Sequence, residues 1–116
     1  MPHIIAELNA TLLPAASEQD LLKALHLELA KEPSVALDRI KTRSVHLPHV
    51  IVGDDTKEDR MIHIVVKLLK GRSVETRKTI GLALQKTTQD FLARKNIGGC
   101  HVTVEMIELD PETYAA

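Results

Sequence analysis

The chain has 116 residues, with 15 Lys+Arg against 16 Asp+Glu, so its formal charge of −1 gives nucleic acid no electrostatic footing. Its 44% hydrophobic content excludes a disordered chain, and a domain of this size buries roughly 65% of its unfolded surface without staples. The single cysteine, Cys100, excludes an internal disulfide, and the 2% aromatic content leaves almost nothing for bases to stack on.

The start, Met1 to Leu8, reads as a strand. It carries no Lys or Arg and meets Glu7 early, which does not fit a secretory signal, so a cytoplasmic protein is expected. Ser17 is the expected N-cap of a first helix, with Glu18 and Asp20 in its first turn and Leu21, Leu22, Leu25 and Leu29 at helical spacing. Pro33 is expected to stop it, with Lys31 in the last turn. A second strand is expected over about Asp38 to Leu47. The stretch from Pro48 to Arg60, with Gly53-Asp54-Asp55, reads as a turn or short hairpin.

Residues 61–68, Met-Ile-His-Ile-Val-Val-Lys-Leu, then repeat the pattern of residues 1–8, with Met, His, Ile and Leu identical at the same offsets. The longest apolar stretch, Ile62 to Leu69, overlaps this repeat. His63 and Lys67 interrupt it, and it is far too short to span a bilayer, so no membrane partner is expected. Ser73 is the expected cap of a second helix, Glu75 its early acid, and Ile80, Ala83, Leu84, Thr87 and Phe91 its buried stripe. Gly98-Gly99 is expected to end that segment. A last strand follows from Cys100 to Leu109, with Val102, Val104, Met106 and Ile107 as its apolar positions.

Each half is thus strand–helix–strand, with pseudo-repeats at about 1–47 and 61–109 of a single domain spanning 1–116. Two such units predict an α/β (α+β) fold: a four-stranded mixed sheet with two helices on one face. The other face has no helix left to cover it. An apolar uncovered face predicts an oligomer.

Three groups of residues carry candidate chemistry. Pro2 becomes a free secondary amine at a strand start if Met1 is removed. An α-amino group has a reference pKa of roughly 7.7–8.0, and burial or nearby cations lower it toward what a proton-transfer base needs. Gly71-Arg72-Ser73 lies at a strand–helix turn, so Arg72 projects at the positive end of a helix, which favours an anion. Lys41 and Arg43 alternate onto one face of the second strand, two cations aimed the same way. His46 and His49 are the only close histidine pair, and their spacing matches no zinc motif. No phosphate-binding glycine loop or nucleophile elbow occurs.

Taken together, these residues resemble the tautomerase superfamily. Pro2-His-Ile-Ile-Ala-Glu is similar to its amino-terminal proline strand, and the run from Val65 to Lys78, with Gly71-Arg72-Ser73, resembles the strand, turn and helix start of 4-oxalocrotonate tautomerase. Over the whole chain the pattern most resembles the 5-carboxymethyl-2-hydroxymuconate isomerase family. Ile40-Lys41-Thr42-Arg43, His63 and Lys67, and Val104 to Pro111 add to the match. The resemblance implies a homotrimer of four-stranded sheets inside a ring of helices. It implies that the amine matching Pro2 is the catalytic base of an isomerase. That base would move a proton from the 2-hydroxyl of a dienol to the far carbon of the conjugated system.

It further implies that cations matching Arg72 and Lys41 hold carboxylates and stabilise the dienolate. No cofactor and no metal are implied. The substrate would be a small unsaturated oxo or hydroxy di- or tricarboxylate from aromatic catabolism. The family shows Ile-Arg-x-Arg where this chain has Ile40-Lys41-Thr42-Arg43, and Lys lacks the planar two-point grip of Arg, which leaves Lys41 and Arg43 as alternative holders. A second reading is a non-catalytic small-anion-binding or assembly module on the same fold.

Overall fold

The computed structural model describes residues 1–116. Four strands, β1 (His3–Asn9), β2 (Lys41–Leu47), β3 (Arg60–Leu69) and β4 (Cys100–Leu109), form one sheet in the order β2-β1-β3-β4. The pairs β1/β2 and β3/β4 are parallel, and the central pair β1/β3 is antiparallel. Helix α1 (Ala15–Leu29) joins β1 to β2, and α2 (Val74–Arg94) joins β3 to β4. The strand–helix–strand order of each half forces the parallel pairing, since a helical crossover returns the chain in the same direction.

Alternation decides which face is covered. Ile4, Ala6 and Leu8 of β1, Ile62, Ile64, Val66 and Leu68 of β3 and Val102 of β4 are buried in one cluster with Leu21, Leu25 and Leu29 of α1 and Ile80, Leu84, Phe91 and Leu92 of α2. Each such side chain larger than alanine contributes about 1.5–3 kcal/mol on burial. Both helices therefore lie on one face. The helix-facing side of β2 is polar instead. Thr42 meets His26 at 2.7 Å, and Ser44 and His46 both reach the Glu18 carboxylate, at 2.6 and 2.7 Å. His46 is thus part of a structural seam between α1 and β2.

The structure corrects several local expectations. Helix α1 begins two residues before Ser17. Pro14 is its N-cap, and no side chain caps it. Helix α1 also ends at Leu29, so Lys31 and Pro33 lie beyond it and His26 is the basic residue of its last turn. In α2 the cap is as expected: the Ser73 hydroxyl accepts from the Thr76 N–H at 3.1 Å. The buried position is Thr88 rather than Thr87, and its hydroxyl donates to the Leu84 carbonyl at 2.9 Å, which lets a polar residue sit in the core.

Asn96, not the glycine pair, closes α2. It adopts φ 58°, and the Ile97 and Asn96 N–H groups donate to the Leu92 and Ala93 carbonyls, a Schellman ending. The segment before β2 is a 3-10 turn over Leu37–Arg39 rather than strand. Residues 48–59 take the turn rather than the hairpin, with the Asp55 N–H donating to the Val52 carbonyl at 3.1 Å.

The uncovered face is also not the apolar surface expected. Register places His3, Ile5 and Glu7 beside Lys41, Arg43 and Val45 on one side and beside Lys67, Val65 and His63 on the other. Thr103, Glu105 and Ile107 continue the face on β4. Charged and apolar residues alternate there, so apolar area alone does not drive assembly. The unpaired outer edges of β2 and β4 remain as hydrogen-bonding templates.

Candidate active site

Topology brings three distant segments to one end of the sheet. Because β2 runs parallel to β1, its start lies beside the start of β1. Because β3 runs antiparallel, its end lies there too. Pro2 sits just ahead of the first ladder residue, where its missing N–H costs no strand hydrogen bond. Its carbonyl accepts from the Lys41 N–H at 2.9 Å, which fixes it to the start of β2. The Pro2 residue is buried.

Beyond β3 the chain turns through Gly71 at φ +128°, a conformation that a residue with a side chain rarely adopts. This turn carries Arg72 back over the start of β1. The Arg72 guanidinium is held at all three nitrogens. Nε donates to the Ser34 hydroxyl at 3.0 Å, Nη2 to the Ser34 carbonyl at 3.2 Å and Nη1 to the Leu69 carbonyl at 3.2 Å. The Ser34 hydroxyl in turn donates to Glu32 at 3.0 Å.

Pro2 and Arg72 line one cleft of about 170 Å³. Val35, Ala36 and Leu68 give it apolar walls, and Arg39 adds a second guanidinium-bearing residue. No carboxylate lines it. A larger groove of about 400 Å³ between α1 and β2, with Gln19, Lys23, His26 and Thr42, has its histidine already bonded to Thr42. Chemistry rather than volume marks the Pro2 cleft as the candidate site. No cluster of three or more His, Cys, Asp or Glu side chains is arranged to hold a metal.

The electrostatics at this end favour a neutral amine. The Met1 amine donates to the Arg39 carbonyl at 2.7 Å. Its pKa is pulled below the ordinary value by loss of water first, then by the charge and hydrogen bond of Lys41, then by the charge of Arg39. Of the four residues singled out from sequence, the structure brings Pro2 and Arg72 together in the cleft. Lys41 stands beside the amino terminus but on the uncovered sheet face.

Arg43 lies two residues further along that face, and its Nη1 donates to His3 Nδ1 at 3.1 Å, away from the cleft. An arginine only donates, so Nδ1 accepts and the Nε2 proton of His3 points at the Tyr114 oxygen, 2.7 Å away. Burial first, then Arg43, the amino terminus, Lys41 and Lys67, lower the His3 pKa and keep the ring neutral.

Ser34 and Arg39 were not among the sequence candidates. Nothing in the sequence shows that the segment between α1 and β2 folds back over residues 38 positions away.

The profile of the 5-carboxymethyl-2-hydroxymuconate isomerase family matches residues 2–115, so the chain belongs to that family. No curated protein matches the sequence. Among solved structures, a 5-carboxymethyl-2-hydroxymuconate isomerase from Deinococcus radiodurans R1 is 24% identical, with 99% of this chain and 87% of that one covered at a TM-score of 0.84. A fused 4-OT wild-type symmetric trimer is 21% identical over 98% of this chain and 90% of its own, with a TM-score of 0.77. A macrophage migration inhibitory factor-like protein from Entamoeba histolytica is 16% identical over 99% and 94%, with a TM-score of 0.70. At these identities the likeness establishes the fold, which is the tautomerase fold of two helices on a four-stranded mixed sheet.

Proposed function

We propose that this protein is a cofactor-independent tautomerase that uses the Pro2 amine, freed by removal of Met1, as its base. The substrate class is a 2-hydroxymuconate-type dienol, and 5-carboxymethyl-2-hydroxymuconate is the first candidate. The amine takes the proton of the 2-hydroxyl and returns it to the far carbon of the conjugated system. The product is the unsaturated 2-oxo acid, and the amine is regenerated. The intermediate dienolate is anionic, so a cation placed at the cleft stabilises it more than the neutral enol. That difference is what accelerates the step.

The observation that carries this reading is a single cleft. A buried Pro2 and two arginines share it with apolar walls and no carboxylate, and the field at the amino terminus favours a neutral amine. Membership of an isomerase family supports the reaction class. We further propose a homotrimer, with the free edges of β2 and β4 meeting between protomers, and a cytoplasmic setting.

A second reading is a non-catalytic small-anion-binding module on the same fold, which the two arginines and the absence of a carboxylate in the cleft also suit. While Met1 is attached, the Pro2 nitrogen is a tertiary amide without a basic lone pair, and the cleft binds a small anion without turning it over. Intact mass together with a spectroscopic assay of dienol conversion on the same preparation separates the two.

A further inference from the structure

We propose that Arg39 is the second carboxylate-holding residue of the Pro2 cleft, which therefore takes a dianion gripped by Arg72 at one end and Arg39 at the other. This inference rests on the tautomerase reading of the same cleft and adds to it a residue and a charge requirement. Strands β2 and β3 flank β1 on opposite sides. Arg39, on the turn entering β2, and Arg72, on the turn leaving β3, reach the cleft from those two flanks.

The other cations at this end have different duties. Arg43 is bonded to His3, and Lys41 alternates onto the uncovered face. Arg72 has given a donor from each of its nitrogens to the chain itself. Arg39 is the reverse case. Its backbone is fixed, with its N–H donating to Ala36 at 3.0 Å and its carbonyl accepting the terminal amine at 2.7 Å. Ile40 behind it is buried. Its guanidinium makes no hydrogen bond and no ion pair, not even with the adjacent Asp38, and the residue is exposed.

An anchored residue with an unpaired guanidinium, on the lining of a cleft that Arg72 also lines, suits a ligand with a second negative group. Two like charges on residues lining one cleft without a carboxylate repel each other, and a dianion relieves both. Arginine is also the side chain that grips a carboxylate at two points.

The test compares wild type, Arg39→Gln and Arg39→Lys, each shown by intact mass to begin at Pro2. The substrates are 2-hydroxymuconate, a dicarboxylate dienol, and phenylenolpyruvate, a monocarboxylate enol. Arg39→Gln is expected to raise KM for the dicarboxylate about tenfold, as loss of a charged hydrogen-bonding partner does, while KM for the monocarboxylate stays within about twofold. Arg39→Lys recovers part of the loss. Equal effects on both substrates, or none, overturn the assignment.

Calorimetric titration with adipate, a dicarboxylate that cannot react, reads Arg39 independently of turnover, with binding about tenfold weaker expected in Arg39→Gln. Adipate that does not bind wild type, or binds the variant equally well, overturns the assignment as well. If wild type turns over neither enol, the tautomerase reading falls, and the adipate titration still decides the role of Arg39.

Discussion

Replacing Arg72 by alanine separates two duties of one side chain. A guanidinium has five N–H donors. Three are used within the chain, one from each nitrogen, on Ser34 Oγ, the Ser34 carbonyl and the Leu69 carbonyl. One N–H therefore remains on each Nη, the pair that a carboxylate or dienolate oxygen pair needs for a forked grip. Arg72→Ala removes that grip, and loss of such a donor set from a developing oxyanion costs roughly 3 kcal/mol, about a hundredfold in kcat/KM.

The same change unties the turn after β3 from the segment that leads to β2. Because the side chain is half exposed and water replaces the lost partners, the stability cost is only on the order of 1–2 kcal/mol. Arg72→Lys keeps the charge without the fork and should lose about tenfold in kcat/KM. The assay is kcat/KM for 2-hydroxymuconate alongside a urea unfolding curve for each variant. A folded Arg72→Ala protein whose kcat/KM stays within about twofold of wild type would refute the reasoning and reduce the Gly71-Arg72-Ser73 turn to a helix start.

Three further outcomes are expected. Because the His3 pKa lies below its unfolded value of about 6.5, the unfolded chain binds more protons below that pH, so stability falls as pH drops through 6.5 and levels off once folded His3 protonates; His3→Gln should flatten the urea midpoint between pH 7 and pH 5. Gly71→Ala meets no atom within 4 Å, so its cost is the backbone strain of φ +128°, about 1–3 kcal/mol, read from the same unfolding curves. Light scattering on a sizing column should give about three times the chain mass of 12.9 kDa, and a stable monomer contradicts the proposed assembly.

The sheet and helices were legible because burial imposes period two on β1 and β3 and helical spacing on Leu21, Leu25 and Leu29, whatever their surroundings. The errors fall where local chemistry has substitutes. Ser17 looks like a cap, yet Pro14 already has a φ of −61°, and the helix starts there without a side-chain cap. Thr88 is buried because its hydroxyl finds the Leu84 carbonyl, which the sequence does not reveal. The uncovered face differs from the apolar one expected because every strand places a charged residue on it: Glu7, Lys41 and Arg43, Lys67, and Glu105.

At the site, Pro2 and Arg72 stand out as a chain start and a glycine turn. Ser34 and Arg39 carry no such mark, because their place in the cleft comes from a loop that folds back over the amino terminus. Arg43 was drawn toward the site by alternation with Lys41, and it is the bond to His3 that holds it away.

The Pro2 amine is the centre of the account, and the pH dependence of kcat/KM on protein of known intact mass tests it most directly. With Met1 removed, kcat/KM should rise with pH through a base pKa below the roughly 7.7–8.0 of an ordinary α-amine, since Pro2 is buried and the Lys41 and Arg39 charges that lower the pKa of the Met1 amine lie one residue away. Protein that retains Met1 should be inactive at every pH, because its Pro2 nitrogen is an amide. Full activity from protein shown to keep Met1 contradicts the mechanism and requires a different base.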